Sequence, residues 1–328
     1  MTRTAALPVE GALPPLDGAT AWLNSEPLTP ADLRGKVVAV QFGTFSCINW
    51  LRTVPYVTAW AEKYRADGLV VILAHSPEFP FEHDLANIRS ALEAMAITHP
   101  VAVDNDFTVW RAFDNHYWPA LFLVDAQGRI RYHHFGEEGY DRSERVIQLL
   151  LAEAGGADLG ADLVTVDADG VFLAADWDRL GSPETYLGHG RAAGFASRGG
   201  FANDRSRTYD EPSRLALNRW ALSGDWTVGE QLIVLGGAGG RIVHRFRGRD
   251  VNLVMGPPPD GGPVRFRVLL DGEPPRGAHG LDVDEQGRGT LAEERLHQLI
   301  RQPGPIRERT VDIAFDDAGP RAFVFTFG

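Results

Sequence analysis

The sequence predicts an α/β domain followed by an all-β sandwich of the jelly-roll type. Length comes first: 328 residues is roughly twice a common domain, more than one core ordinarily organises. The second observation is local pattern, because residues 36–74 read as an apolar run, a stretch of helical spacing and another apolar run, a β-α-β unit. The third is glycine. Only ten of the 36 glycines fall at or before Gly156, and beyond it short strand-like runs separated by Gly, Pro and Asp replace helical periodicity. The change of grammar falls near 154–160, where Ala-Gly-Gly-Ala follows the helix-like 146–152. The expected organisation is an N-terminal extension 1–20, an α/β domain 21–156 and a β domain 157–328.

Each element follows from its own pattern. Residues 36–42 and 69–74 are continuous β-branched and apolar runs, as expected of parallel strands covered on both faces and joined by a right-handed helical crossover, here 55–65. A helix at 84–96, a short strand at 101–103 and a short helix at 107–113 come next. The domain then reaches a hairpin, 120–125 and 129–135, turned by 126–128. In the second half seven runs read as strands: 171–174, 231–235, 241–247, 251–255, 264–270, 310–315 and 321–327. The glycine run 236–240 reads as a hairpin turn, since no Lys-Ser/Thr follows it as a phosphate loop requires.

Composition excludes several function classes. Hydrophobic residues at 44% and charged residues at 23% are ordinary globular values, and no apolar run approaches the ~18 to 20 residues that cross a bilayer. Lys+Arg 32 against Asp+Glu 44 gives a net charge of -12, which repels phosphate backbones and anionic lipid. The densest basic stretch, 241–249, alternates arginine with apolar residues as a solvated strand face does. Nucleic acid and membranes are therefore not expected partners. The single cysteine, Cys47, excludes an intramolecular disulfide and a multi-cysteine zinc site. Residues 1–20 carry three prolines and no apolar signal core, so the expected compartment is the reducing cytoplasm. No metal or other cofactor is expected: Asp104-Asn105-Asp106 lacks the glycine and glutamate of a calcium loop, and neighbouring His133 and His134 on a strand point to opposite faces.

Cys47 follows a buried-strand pattern and the turn Gly43-Thr44-Phe45-Ser46, and it precedes a helix. Unsatisfied backbone N–H groups and the positive end of the helix dipole favour thiolate there, and such settings bring a thiol from ~8.5 into the range ~3.5 to 7.5. A buried inert cysteine fits the same position.

The segment Gly43-Thr44-Phe45-Ser46-Cys47-Ile48-Asn49-Trp50 resembles the active-site turn of thioredoxin-like (redoxin, TlpA-like) proteins, especially the thioredoxin domain of bacterial DipZ-type proteins, which carry Cys-Ile-Asn-Cys. Leu33-Arg34-Gly35-Lys36-Val37-Val38, His75-Ser76-Pro77-Glu78-Phe79, Asp104-Asn105-Asp106 and Tyr117-Trp118-Pro119-Ala120 extend the resemblance over roughly residues 20–150. It implies a thioredoxin-like fold, a helix kink at Pro55 and a cis-proline at Pro119 facing the sulfur. The second half resembles the C-terminal jelly roll of the same proteins, likened to carbohydrate-binding modules, through Ser182-Pro183-Glu184-Thr185-Tyr186-Leu187-Gly188 and Leu217-Asn218-Arg219-Trp220-Ala221-Leu222.

The departures from the family decide the chemistry. Where these proteins place the resolving cysteine, this chain has Trp50, and where thioredoxins place a buried aspartate it has Gln41, which is no general base. The intramolecular resolving step is therefore lost. The membrane segment of the anchored members is not seen. The leading reading is a monothiol oxidoreductase: Cys47 attacks a disulfide of a protein or small molecule, and an external thiol, a small thiol or a thioredoxin, resolves the adduct. Thr44 would tune the sulfur, Trp50 would shield it or pack on substrate, and Trp118 and Pro119 would shape the substrate groove. One alternative is a non-catalytic binding protein with a glycan- or protein-binding jelly roll. Another is a single-cysteine peroxidase, suggested by Thr44-x-x-Cys47, with Val40 where proline is expected and Arg52 or Arg111 as candidate thiolate partners. Trp177, Tyr186, Trp220 and Trp226 could form an aromatic sugar platform assisted by His189 and Arg191, or could be sandwich core. Trp60 and Trp110 are expected in the core of the first domain.

Overall fold

The computed structural model describes residues 7–155, 159–259 and 261–328. The chain forms two compact units, Met1–Phe172 and Leu173–Gly328.

The strands of the first unit are β1 (Gly11–Ala12), β2 (Ala21–Leu23), β3 (Val37–Gly43), β4 (Leu69–His75), β5 (Val101–Val103), β6 (Ala120–Val124) and β7 (Arg129–Phe135). They form one sheet in the order β1-β7-β6-β3-β4-β5-β2. β3, β4 and β5 run parallel, and β6 and β7 continue the sheet antiparallel. β3 is buried at every residue. Its alternate side chains serve two cores: Val38, Val40 and Phe42 pack with Trp110 and Phe113, while Val37 and Ala39 pack with Trp60, Tyr64 and Leu150. That two-sided burial is why the strand reads as an unbroken apolar run. The helices are α1 (Ile48–Leu51), α2 (Val54–Lys63), α3 (Leu85–Ala94), α4 (Thr108–Ala112) and α5 (Tyr140–Glu153). Pro55 lies in the first turn of α2, where a missing N–H breaks no helical bond. The observed sheet and helices match the α/β, thioredoxin-like expectation.

Both ends of this unit differ from the expected boundaries. The extension 1–20 is integrated from residue 7 onward: β1 pairs with β7, Gly11 opposite Ile130, and Leu16 is fully buried in the core. The boundary expected at 156/157 lies outside the described residues, but residues beyond it pack on the first unit. The buried Glu144 carboxylate accepts the Val164 N–H at 2.9 Å, Lys63 and Gln148 donate to the Asp162 carbonyl, and Leu159 and Val164 join the apolar cluster. Residues 171–174, expected as a strand, contribute to a 3-10 turn, Gly170–Phe172, that lies against α1. An apolar run without a partner strand packs as a turn.

The second unit is all β, as expected, with a jelly-roll-like pair of sheets. Its strands are β8 (Thr185–Tyr186), β9 (Ser206–Tyr209), β10 (Arg219–Val228), β11 (Ile233–Leu235), β12 (Arg241–Arg247), β13 (Asp250–Gly256), β14 (Val264–Leu270), β15 (Arg288–Leu291), β16 (Arg295–Arg301), β17 (Glu308–Phe315) and β18 (Arg321–Phe327). β10 belongs to both sheets: Arg219–Ser223 pairs with β12, and Gly224–Thr227 pairs with β9. The change falls at Gly224, whose φ of +94° is a conformation that favours glycine. Residues 236–240 are therefore not a hairpin turn. β11 and β12 each pair with β10, and the glycine run carries the chain from one sheet to the other.

Candidate functional site

The turn after β3 delivers Cys47 to the N-cap of α1, where the Leu51 N–H donates to its carbonyl at 2.9 Å. The residue is 9% exposed, and its Sγ lies 4.0 Å from the backbone oxygen of Trp118. The Trp118–Pro119 peptide is cis, in agreement with the resemblance. Cys47, Trp118 and Pro119 are thus brought together. The Trp118 indole donates to the Ser76 carbonyl at 2.9 Å and its ring lies 4.3 Å from that of Trp110, which fixes it as a wall. Tyr117 (52% exposed) and Phe135 (39%) are in contact with one another, ring centroids 4.7 Å apart, and give this end of the sheet an open aromatic surface.

Of the two roles expected of Trp50, shielding the sulfur or packing on substrate, its burial excludes the second. It is 1% exposed and cannot pack on a substrate; a Cβ on Gly43 would meet its Cδ1 at 2.0 Å. The missing side chain at Gly43 is what admits the indole to the core. Trp60 and Trp110 are buried as expected.

Thr44 is fully buried and acts on the turn: its hydroxyl lies 3.3 Å from His75 Nε2 and also bonds Glu82. Glu82 is the residue the sequence analysis missed. It belongs to the 3-10 turn Pro80–His83 and is fully buried. Its carboxylate accepts the Ser46 hydroxyl at 2.6 Å and the Ser46 N–H at 3.3 Å, and also the N–H groups of Glu78 at 2.6 Å and Phe79 at 2.9 Å. It ties the turn before Cys47 to the loop after β4. Burial pushes its carboxyl up, against the donors that hold it down. His75, also fully buried, is pushed down to about 3 by burial and is neutral at ordinary pH. The spacing His75 to Glu82 crosses two elements, so no single-element periodicity could have pointed to it.

Gln41 donates to the Thr53 hydroxyl at 2.6 Å, and Thr53 in turn donates to the Trp50 carbonyl at 2.6 Å. Gln41, Thr53 and Pro119 line a cavity of about 20 Å³. The candidate thiolate arginines are engaged elsewhere. Arg52 is buried in an ion pair with Glu137 at 2.8 Å, and Arg111 donates to the Asp106 carbonyl at 2.8 Å. The Asp104 carboxylate caps α4 through Val109 and Trp110.

The sugar platform is not assembled. Trp220 and Trp226 are fully buried, their indole N–H groups donating to the Ala193 and Ser223 carbonyls at 2.9 Å. The aromatic face of Tyr186 is covered by the Arg191 guanidinium 3.4 Å from the ring centre. Trp177 is 45% exposed, and His189 is paired with Asp204 at 3.2 Å. Core packing in a sandwich claimed the large rings.

Comparison with known proteins accords with this geometry. The family described as thioredoxin like C-terminal domain matches residues 182–328. Protein DipZ of Mycobacterium tuberculosis is 36% identical over 268 residues, covering 80% of this chain, and the chain spans only 37% of that relative's length. The thiol-disulfide oxidoreductase YkuV of Bacillus subtilis is 31% identical over 141 residues, 43% of this chain and 95% of YkuV. A solution structure of a thioredoxin-like protein in the oxidized form is 33% identical, covers 44% of this chain and 96% of its own, and superposes with a TM-score of 0.41. Among the described residues no helix is long and apolar enough to cross a membrane. With nearly the whole of YkuV covered at 31% identity, the chain belongs to the thioredoxin-like family.

Proposed function

We propose that this chain is a monothiol thiol-disulfide oxidoreductase acting through Cys47. The observation that supports it most directly is the lone thiol at the N-cap of α1 beside Trp118 and Pro119, with buried Trp50 where a resolving thiol would stand. In the reaction the Cys47 thiolate attacks one sulfur of R–S–S–R′, forming Cys47–S–S–R and releasing R′S⁻, which takes a proton from water. The thiolate R″S⁻ of an external thiol then attacks the R sulfur, giving R–S–S–R″ and regenerating the Cys47 thiolate. The disulfide belongs to a protein or small molecule and the external thiol to a small thiol or a thioredoxin, which fits a reducing, cytoplasmic setting. Thr44 acts by bracing the turn through His75 and Glu82. The engaged states of Arg52 and Arg111 speak against the peroxidase reading.

The test is adduct formation read by intact mass. Incubation with glutathione disulfide is expected to add one glutathione to the wild type and none to Cys47→Ser, and excess thiol is expected to remove it. A wild-type chain that stays unmodified at pH 8, where even an ordinary thiol is partly ionised, would overturn the proposal. The exposed Tyr117 and Phe135 favour a second reading, a binding protein in which the thiol is idle. Its mark would be a partner bound equally by wild type and Cys47→Ser.

A further inference from the structure

The second unit carries an arginine groove that the thiol chemistry does not use. In the register of β14 and β15, Arg267 stands directly opposite Arg288, and Arg265 opposite Thr290 on the same face. Phe266 and Val268 alternate with them into the core, so the three arginines face outward and are exposed. Together with Asp316 they line an open depression of about 440 Å³ over an edge of the sheet.

Like charges directly opposite each other across a strand pair are unfavourable; in another such pair of this unit, Arg219 opposite Arg245, the second arginine reaches Glu308 at 3.1 Å. Arg241, Arg245, Arg295, Arg301, Arg309 and Arg321 each reach a carboxylate. Arg265 has only a 3.6 Å approach to the exposed Asp316. Among the described residues, no carboxylate lies within ion-pair distance of Arg267 or Arg288, although the chain carries 44 acidic residues against 32 basic ones. Two arginines directly opposed on a strand pair and lining one depression bring two planar fork donors within reach of two oxyanion groups of one short ligand.

We propose that this depression binds a small ligand bearing two or more oxyanion groups, with Arg267 and Arg288 as the principal contacts and Arg265 and the Thr290 hydroxyl at one end. The ligand supplies the negative charge that the sheet itself omits. The phosphoryl groups of a diphosphate and the carboxylates of an acidic disaccharide share this chemistry, and binding of either is independent of Cys47.

The experiment is isothermal titration of the full chain, at a fixed near-physiological ionic strength, with inorganic pyrophosphate and separately with digalacturonate. Saturable binding of pyrophosphate identifies the phosphoryl source, and saturable binding of digalacturonate the saccharide source; either supports the proposal. Arg267→Gln and Arg288→Gln, both at exposed positions that leave the core untouched, are each expected to weaken binding by about tenfold or more. Arg198→Gln, an exposed arginine outside the groove, is expected to leave it unchanged. Absence of saturation with both probes would overturn the proposal, as would equal weakening by Arg198→Gln.

Discussion

Glu82 offers the sharpest test of how the thiol turn is held. Its Oε1 accepts from the Ser46 N–H and hydroxyl and its Oε2 from the Glu78 and Phe79 N–H groups. Glu82→Gln keeps one acceptor oxygen and turns the other into an NH₂ that faces donors. Two buried donors then lose their partner, at about 1–3 kcal/mol each. Removal of a buried carboxyl returns part of that cost, leaving an expected destabilisation of about 2–4 kcal/mol in the first unit. A second effect acts on the sulfur. Ser46 adjoins Cys47, so any negative charge the Glu82 carboxyl carries opposes ionisation of the thiol, and its removal favours the thiolate. Scanning calorimetry reads the first effect, and the pH dependence of Cys47 alkylation, followed by intact mass, reads the second. The expected result is a lower melting transition together with an alkylation profile displaced toward acid. A variant with wild-type melting and a wild-type alkylation profile would refute the role of Glu82 as the brace of this turn.

Three further predictions concern folding and pH. Gly43→Ala places a Cβ 2.0 Å from the Trp50 ring and is expected to cost about 1–3 kcal/mol by overpacking in denaturant unfolding, whereas Gly262→Ala, with nothing within 4 Å, is expected to be near neutral. Asp104→Asn leaves one of the donors Ser76, Val109 and Trp110 without its acceptor and is expected to cost about 1–2 kcal/mol; unchanged stability would count against the cap. Burial pushes His244 down to about 3 from 6.5, so as pH falls the unfolded chain takes the proton first. The stability it confers is complete above pH 6.5 and fades toward pH 3, by about 2 kcal/mol at pH 5. His244 packs between Phe325 and Phe327, and His244→Phe is expected to flatten the stability curve between pH 7 and 5 by that amount; an unchanged slope would show that the buried ring is not responsible.

How far the sequence could be read depended on whether an element's signal is local. β3 and β4 are buried on both faces, so their apolar runs were visible without any partner. β7, with exposed Arg129 and His133, was found through its turn. β10 was not recognised as a strand, because Arg219, Ser223 and Asp225 interrupt it and its two halves serve different sheets. β16 was missed for a related reason: polar His297 and Gln298 are buried in the middle of it, His297 Nδ1 bonding the Arg295 carbonyl and the Gln298 backbone N–H donating to the Asp282 carboxylate. What holds 162–164 on the first unit is long-range and has no periodicity: Glu144 on α5 accepts the Val164 N–H, and Lys63 and Gln148 donate to the Asp162 carbonyl. Cys47, Trp118 and Pro119 were legible from the resemblance, whereas for Trp220 and Tyr186 residue type alone left a sugar platform and sandwich core both open, and only packing decided between them.

The residues around the thiol form one connected arrangement. Gln41 donates to Thr53, Thr53 donates to the Trp50 carbonyl, and the Trp50 ring occupies the space left by Gly43. The amide at position 41 suits this arrangement because it can donate to a buried hydroxyl that is itself donating, which a carboxylate cannot do. The indole fills the core where a small polar sulfur would leave a void. The tryptophan at position 50 is thus accommodated by the glycine at position 43 and tied through Thr53 to the neutral amide at position 41. A cysteine placed at position 50 alone would lack both the packing that the indole supplies and a proton acceptor at position 41.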